Sequence, residues 1–219
     1  MATLIGVKGL DKTTVGFRRA LYEGARSRGW NPDYLATVIS FESGFNPAAR
    51  NPHSNALGLI QWVSDASFDA TARKAGMNVR RSELPTLTAE QQLPLVFAWY
   101  DGKGIRESSS VVDYYLAVFM PAYVGKPTDY VAAREGTLAY SQNAGFDRDG
   151  KGYYTIGDIG RSIQYVLAQG LKAPRVLVPG VTEVGPLGLT PAVVALTVFG
   201  AAWLLLPRVP LTRRALSLA

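Results

Sequence analysis

Glu42 is the one acidic side chain in the stretch LATVISFES (35–43). Leu35, Val38 and Ile39 precede it by seven, four and three residues, a spacing that puts all four side chains on one side of a helix. Apolar surroundings disfavour the ionised carboxylate, and so does the negative end of the helix dipole at the C-terminus. Both raise its proton affinity. A carboxylic acid that keeps its proton near neutral pH can donate it to a leaving-group oxygen, which is what cleavage of a glycosidic bond requires. The same spacing also allows a glutamate whose carboxylate escapes to solvent at the helix end.

The rest of the composition narrows the chemistry. The 219 residues include no cysteine, which excludes disulfides, thiolate catalysis and Cys-based zinc sites. The single histidine, His53, lies in the loop NPHSN and reads as a solvated polar residue. No metal or cofactor is therefore expected. No second carboxylate stands out either, because Asp65 and Asp69 open a helix, where capping accounts for them. The net charge of +6 favours anionic partners such as cell wall, nucleic acid or lipid headgroups. Without a basic helix or an aromatic-basic strand pattern, nucleic-acid binding is not expected.

The elements that must position Glu42 are helices, and the chain reads as mainly α. Phe17, Ala20, Leu21 and Gly24 predict a helix over 13–28 that stops at Gly29. Asn31 as N-cap, with Pro32 and Asp33 in the first turn, starts the helix that carries Glu42, and Gly44 ends it. SDASFDATARKAG (64–76) gives a third helix. Thr88 with Gln91 opens a fourth, which Pro94 should bend, and Ser110 with Asp113 opens a fifth, closed by Pro121. Two more fit 129–140 and 156–169.

The stretches ESGFNPAA (42–49) and ALGLIQ (56–61) resemble the two signature motifs of the lytic transglycosylases and goose-type lysozymes. In that family a Glu-Ser pair at a helix end is followed by a Gly-Leu-Met-Gln strand; here Ile60 replaces the Met. The resemblance covers roughly 30–160 and implies a lysozyme-like fold acting on the β-1,4 bond between N-acetylmuramic acid and N-acetylglucosamine in peptidoglycan. It implies Glu42 as general acid and then base, Ser43 orienting the carboxyl or the substrate, and Gln61 bonding the sugar N-acetyl group. From the residues alone, Ser43 is equally a polar helix end and Gln61 a strand residue bonding backbone. A third family motif, Leu-Ala-x-Tyr-Asn-Ala-Gly, supplies a tyrosine to the acid. LAVFMPAYVG (116–125) has Phe119 at that position, a form similar to phage-encoded members. Tyr115, one turn earlier on the same face, is one substitute, and Tyr140 in AYSQNAG, which imitates the motif, is another. With a lone acid, the substrate's own 6-hydroxyl can attack and give an anhydro-sugar, as the resemblance implies; attack by water stays open.

DRDGKGYYTIGD (147–158) maps onto the twelve-residue EF-hand loop, with Asp147, Asp149, Lys151, Gly152 and Asp158 at positions one, three, five, six and twelve. A lysine where an acid belongs repels calcium. The loop is expected to hold this internal cation in place of a metal, a weak calcium site being the alternative.

Residues 1–170 thus form the expected domain, 171–188 a Pro/Gly linker, and 189–219 a transmembrane helix with a short basic tail. The run PLGLTPAVVALTVFGAAWLLLP carries no charge and approaches the length of a bilayer span, although a helix buried against another protein fits it too. Arg208, Arg213 and Arg214 predict a cytoplasmic C-terminus. The N-terminus MATLIGVKGLDKTT lacks the apolar core of a secretory signal. A wall-cutting domain with such a tail suggests a membrane-associated phage virion protein that opens the wall as the genome enters. Its expected partners are glycan strands, the membrane and other virion proteins. The competing class is a lysozyme-like module that binds glycan, or packs in a virion, without cleaving.

Overall fold

The structure, a computed structural model, describes residues 1–183. Helices begin where a side chain satisfies the orphan N–H groups of a first turn. Thr14 caps α1 (Val15–Arg26), Asn31 caps α2 (Pro32–Ser43) and Ser64, rather than Asp65, caps α3 (Asp65–Lys74). Capping boxes of Thr88 with Gln91 and Ser110 with Asp113 open α4 (Ala89–Tyr100) and α5 (Val111–Phe119). Thr137 caps the short α6 (Leu138–Gln142), and Thr155 with Asp158 opens α7 (Ile156–Lys172). Pro94 lies inside α4, which runs on to Tyr100.

Four short strands complete the described residues: β1 (Ala2–Leu4), β2 (Val131–Arg134), β3 (Tyr153–Thr155) and β4 (Val176–Val178). The helix expected over 129–140 does not form. Val131–Arg134 pairs antiparallel with β3 instead, and Gly136, at φ 85°, turns the chain before α6 begins. The linker expected from 171 is corrected as well. Residues 176–178 pair antiparallel with the N-terminal strand, Ala2 opposite Val178 and Leu4 opposite Val176. Ala2, Leu4 and Val178 are fully buried, and that burial holds the segment to the domain. The expected transmembrane helix and tail over 189–219 lie outside the described residues. Among the described residues, no helix is long and apolar enough to cross a membrane.

The architecture is mainly helical around α2, which packs against α1, α5 and α7. Leu35, Ala36, Thr37, Val38 and Ile39 of α2 are all buried without measurable exposure, and the Thr37 hydroxyl is satisfied by the Asp33 carbonyl at 2.7 Å. Such a helix cannot shift or rotate without breaking the core, so the position of its last turn is set.

Candidate active site

The last turn of α2 carries Glu42, on the face that Leu35, Val38 and Ile39 bury. Gly44 then takes the left-handed conformation at φ 59° and its N–H bonds the Ser40 carbonyl, which closes the helix. Phe45 follows at φ 66°, so two successive left-handed residues turn the chain sharply after the helix. Glu42 is partly buried. Among the described residues, none donates a hydrogen bond to it and no basic side chain pairs with it. Burial therefore acts unopposed and pushes its carboxyl from the ordinary 4.5 up to about 7.

Two tyrosines feel this carboxylate. Tyr115 of α5 is buried, and its hydroxyl is pushed well up by that burial and by the Glu42 charge. Tyr100, at the end of α4, is raised first by burial and then by Glu42 and Tyr114, and it donates to the Tyr114 carbonyl at 2.8 Å. The spacing within α5 pointed to Tyr115; Tyr100 carries no local signal, because only the packing of α4 brings it to α2. Phe119, which stands at the motif's tyrosine position, stacks on Tyr115 with ring centres 5.5 Å apart, and the half-exposed Phe41 meets Tyr115 edge-on at 5.2 Å. Tyr140 goes elsewhere. Its hydroxyl donates to Asp147 at 2.8 Å, and the charges acting on it are those of Asp147 and Glu135.

Ser43 and Gln61 also bond the backbone. The Ser43 hydroxyl donates to the Ile39 carbonyl at 3.1 Å. Gln61 is not in a regular strand: Leu57 and Trp62 form an isolated bridge around a turn, with Gly58 at φ 78° and Gln61 at φ 54°. The Gln61 amide nitrogen donates to the Gly58 carbonyl at 2.9 Å and the Ala49 carbonyl at 3.2 Å. That uses both its protons and leaves its oxygen, an acceptor, for any ligand.

What holds this loop is Gln92 of α4, which the motifs did not single out. It is fully buried, accepts from Leu59 N–H at 3.0 Å, and donates to the carbonyls of Pro47 at 2.8 Å and Leu84 at 2.9 Å. One amide thus pins both arms of the segment that follows Glu42. A side chain on Gly58 would strike the Gln92 oxygen, so the two positions depend on each other.

In the EF-hand-like loop, Lys151 extends its ammonium to Asp158 at 2.8 Å. Burial alone would raise the Asp158 carboxyl, but Lys151 and Thr155 outweigh it and hold the group at about 2. Asp147 accepts from the N–H groups of Lys151 and Gly152, and Arg161 reaches both Asp149 and Asp158. Among the described residues, no group of three or more acidic or histidine side chains is placed to hold a metal. His53 is exposed.

Residues 20–90 match the family described as the transglycosylase SLT domain. This segment is a lytic transglycosylase-like domain. The match takes in Glu42, Ser43, Gln61 and the first residues of α4, whereas Gln92, Tyr100 and Tyr115 lie beyond it. No curated protein matches the chain. The transglycosylase-like match and the helical architecture together give a lysozyme-like, peptidoglycan-acting domain.

Proposed function

We propose that the protein is a peptidoglycan lytic transglycosylase that cleaves the β-1,4 bond between N-acetylmuramic acid and N-acetylglucosamine, with Glu42 as its sole acid and base. The observation that carries this reading is a carboxyl held near pKa 7 by burial, with no cation beside it, within the matched segment. Protonated Glu42 gives its proton to the bridging oxygen as the bond from C1 of the muramic sugar breaks. The new Glu42 carboxylate then takes the proton of that sugar's 6-hydroxyl while O6 bonds to C1, giving a 1,6-anhydro end and restoring the acid. In this reading Tyr115, which feels the Glu42 charge, supports the carboxylate, Ser43 and the Gln61 oxygen serve as acceptors for the substrate, and the exposed ring of Phe41 packs on a sugar face.

Mass spectrometry of digested glycan strands tests the reading. Anhydro ends from the wild type, and none from Glu42→Gln, support it. Reducing ends make the domain a lysozyme, and an absence of products makes it a glycan-binding module. The particle-borne role rests on Phe119 at the motif's tyrosine position, and the membrane association rests on the apolar run near residue 200. Recovery of the chain from purified, detergent-extracted phage particles tests both.

A further inference from the structure

We propose that a cleft between the N-terminal segment and the start of β4 seats the phosphate of an anionic lipid headgroup, so that this face of the domain lies on a negatively charged membrane. This rests on the membrane association proposed above and names the surface that meets the bilayer. The cleft has a volume of about 540 Å³, and Lys8, Asp11 and Arg18 line it together with Pro174, Arg175 and Leu177.

Two of its three cations have no carboxylate partner among the described residues. Arg175 is the exception, since it holds Asp33 at 2.9 Å and also Thr3. Arg18 donates from Nη1 to the Thr13 carbonyl at 2.6 Å, and its Nε, shut off from water, donates to nothing. A guanidinium already stripped of part of its water loses less on taking up an anion and gains a charge-assisted bond. Lys8 is exposed. Its backbone is tied down, because its carbonyl accepts from the Ser40 hydroxyl at 2.9 Å, while its ammonium is left to a ligand. Asp11, the acid of the cleft, is exposed and pairs with none of these cations.

The surroundings identify a lipid as the source of the phosphate. Leu177 is 54% exposed and Pro174 is exposed too, so apolar surface adjoins the cations. Cations beside exposed apolar side chains suit the boundary between headgroups and acyl chains. The chain also leaves the domain on this face. The Val181 carbonyl accepts from Ala2 N–H, Arg19 of α1 reaches the Pro179 carbonyl at 2.9 Å, and the apolar run begins at Pro186, just after the last described residue, Glu183. The residues between span about 10 Å at most, so a membrane that takes up the run lies close to β4 and to the arginines of α1. Arg19 and Lys172 add positive charge there, against Glu183.

The test is co-sedimentation of the full chain with vesicles of phosphatidylcholine alone and of phosphatidylcholine and phosphatidylglycerol in equal parts. Binding to the anionic vesicles should be about thirtyfold tighter, the effect of two cations at about fivefold each. Lys8→Gln should reduce that preference about fivefold, and Lys8→Gln with Arg18→Gln should abolish it, with binding to the neutral vesicles unchanged. Lys126→Gln, which removes an exposed cation outside the cleft, should leave the preference as it is. An absent preference, or an equal loss in the Lys8 and Lys126 variants, overturns the inference, and binding to neutral vesicles then keeps the membrane association. Binding to neither kind of vesicle overturns both. A preference for anionic vesicles that depends on Lys8 and Arg18, without binding to neutral ones, supports the inference and removes the anchoring assigned to the apolar run. If inorganic phosphate raises the Tm of the wild type but not of the double variant, and the vesicles show no preference, the cleft takes free phosphate and the lipid assignment is overturned.

Discussion

Glu42 is neutral below about pH 7 in the folded protein, and an unfolded glutamate is neutral only below about 4.5. Folding therefore takes up a proton between those values. The stability present below pH 4.5 falls as pH rises through 7, by on the order of 3 kcal/mol. Glu42→Gln removes that cost. Its Tm should exceed the wild type's by several degrees at pH 8, and the gap should close below pH 4.5, as scanning calorimetry at the two pH values will show. Turnover should move the other way with pH: wild-type kcat/KM falls about tenfold per pH unit above 7, because the acid loses its proton. The tyrosines separate at this scale too. Tyr115→Phe, which strips the hydroxyl that feels the Glu42 charge, should lower kcat about tenfold in steady-state assays. Tyr140→Phe should leave kcat unchanged, since that hydroxyl serves Asp147.

The loop after α2 depends on a single buried amide. Gln92→Leu leaves Leu59 N–H and the carbonyls of Pro47 and Leu84 without their partner, at about 1–3 kcal/mol for each buried group. A loss of about 3 kcal/mol in urea unfolding is expected, with a larger fall in turnover than the stability loss alone explains, because the loop carrying Gln61 is freed. Nothing in the chain announced Gln92: a lone polar residue in an apolar helix has no period or motif, and its partners are 8 to 45 residues away. The helices were legible for the opposite reason. Asn31 with Pro32 and Gly44, and the boxes at Thr88 and Ser110, act within three or four residues of themselves. So the element carrying Glu42 could be drawn from sequence at both ends. The 129–140 segment was not legible, because Gly136 and pairing with Tyr153–Thr155 overrode its helical spacing. Lys151 in the EF-hand-like loop was readable as a charge standing where calcium would, and it lies against Asp158.

At the scale of the whole molecule, the two ends of the described chain close on each other. Ala2 N–H bonds the Val181 carbonyl at 2.7 Å, Arg175 grips Thr3 and Asp33, and β4 covers the N-terminal strand. A boundary at 170 was the natural reading of a Pro- and Gly-rich stretch, since three-residue strands that meet only across the fold leave no periodic trace. Val178→Asp in the full chain places an unpaired charge where no exposure remains. It should cost at least about 3 kcal/mol and lower Tm by about 10 °C, although Val178 touches nothing in the site. A silent Val178→Asp would mean that the segment from 171 is a linker after all.

The account turns on the proton of Glu42. Carbon-13 NMR of glutamate carboxyl groups across pH 4 to 9, with Glu42→Gln to assign the signal, reads that proton in the intact protein. A midpoint near 7 is predicted, and a midpoint near 4.5, the value of a glutamate in open water, would contradict the mechanism.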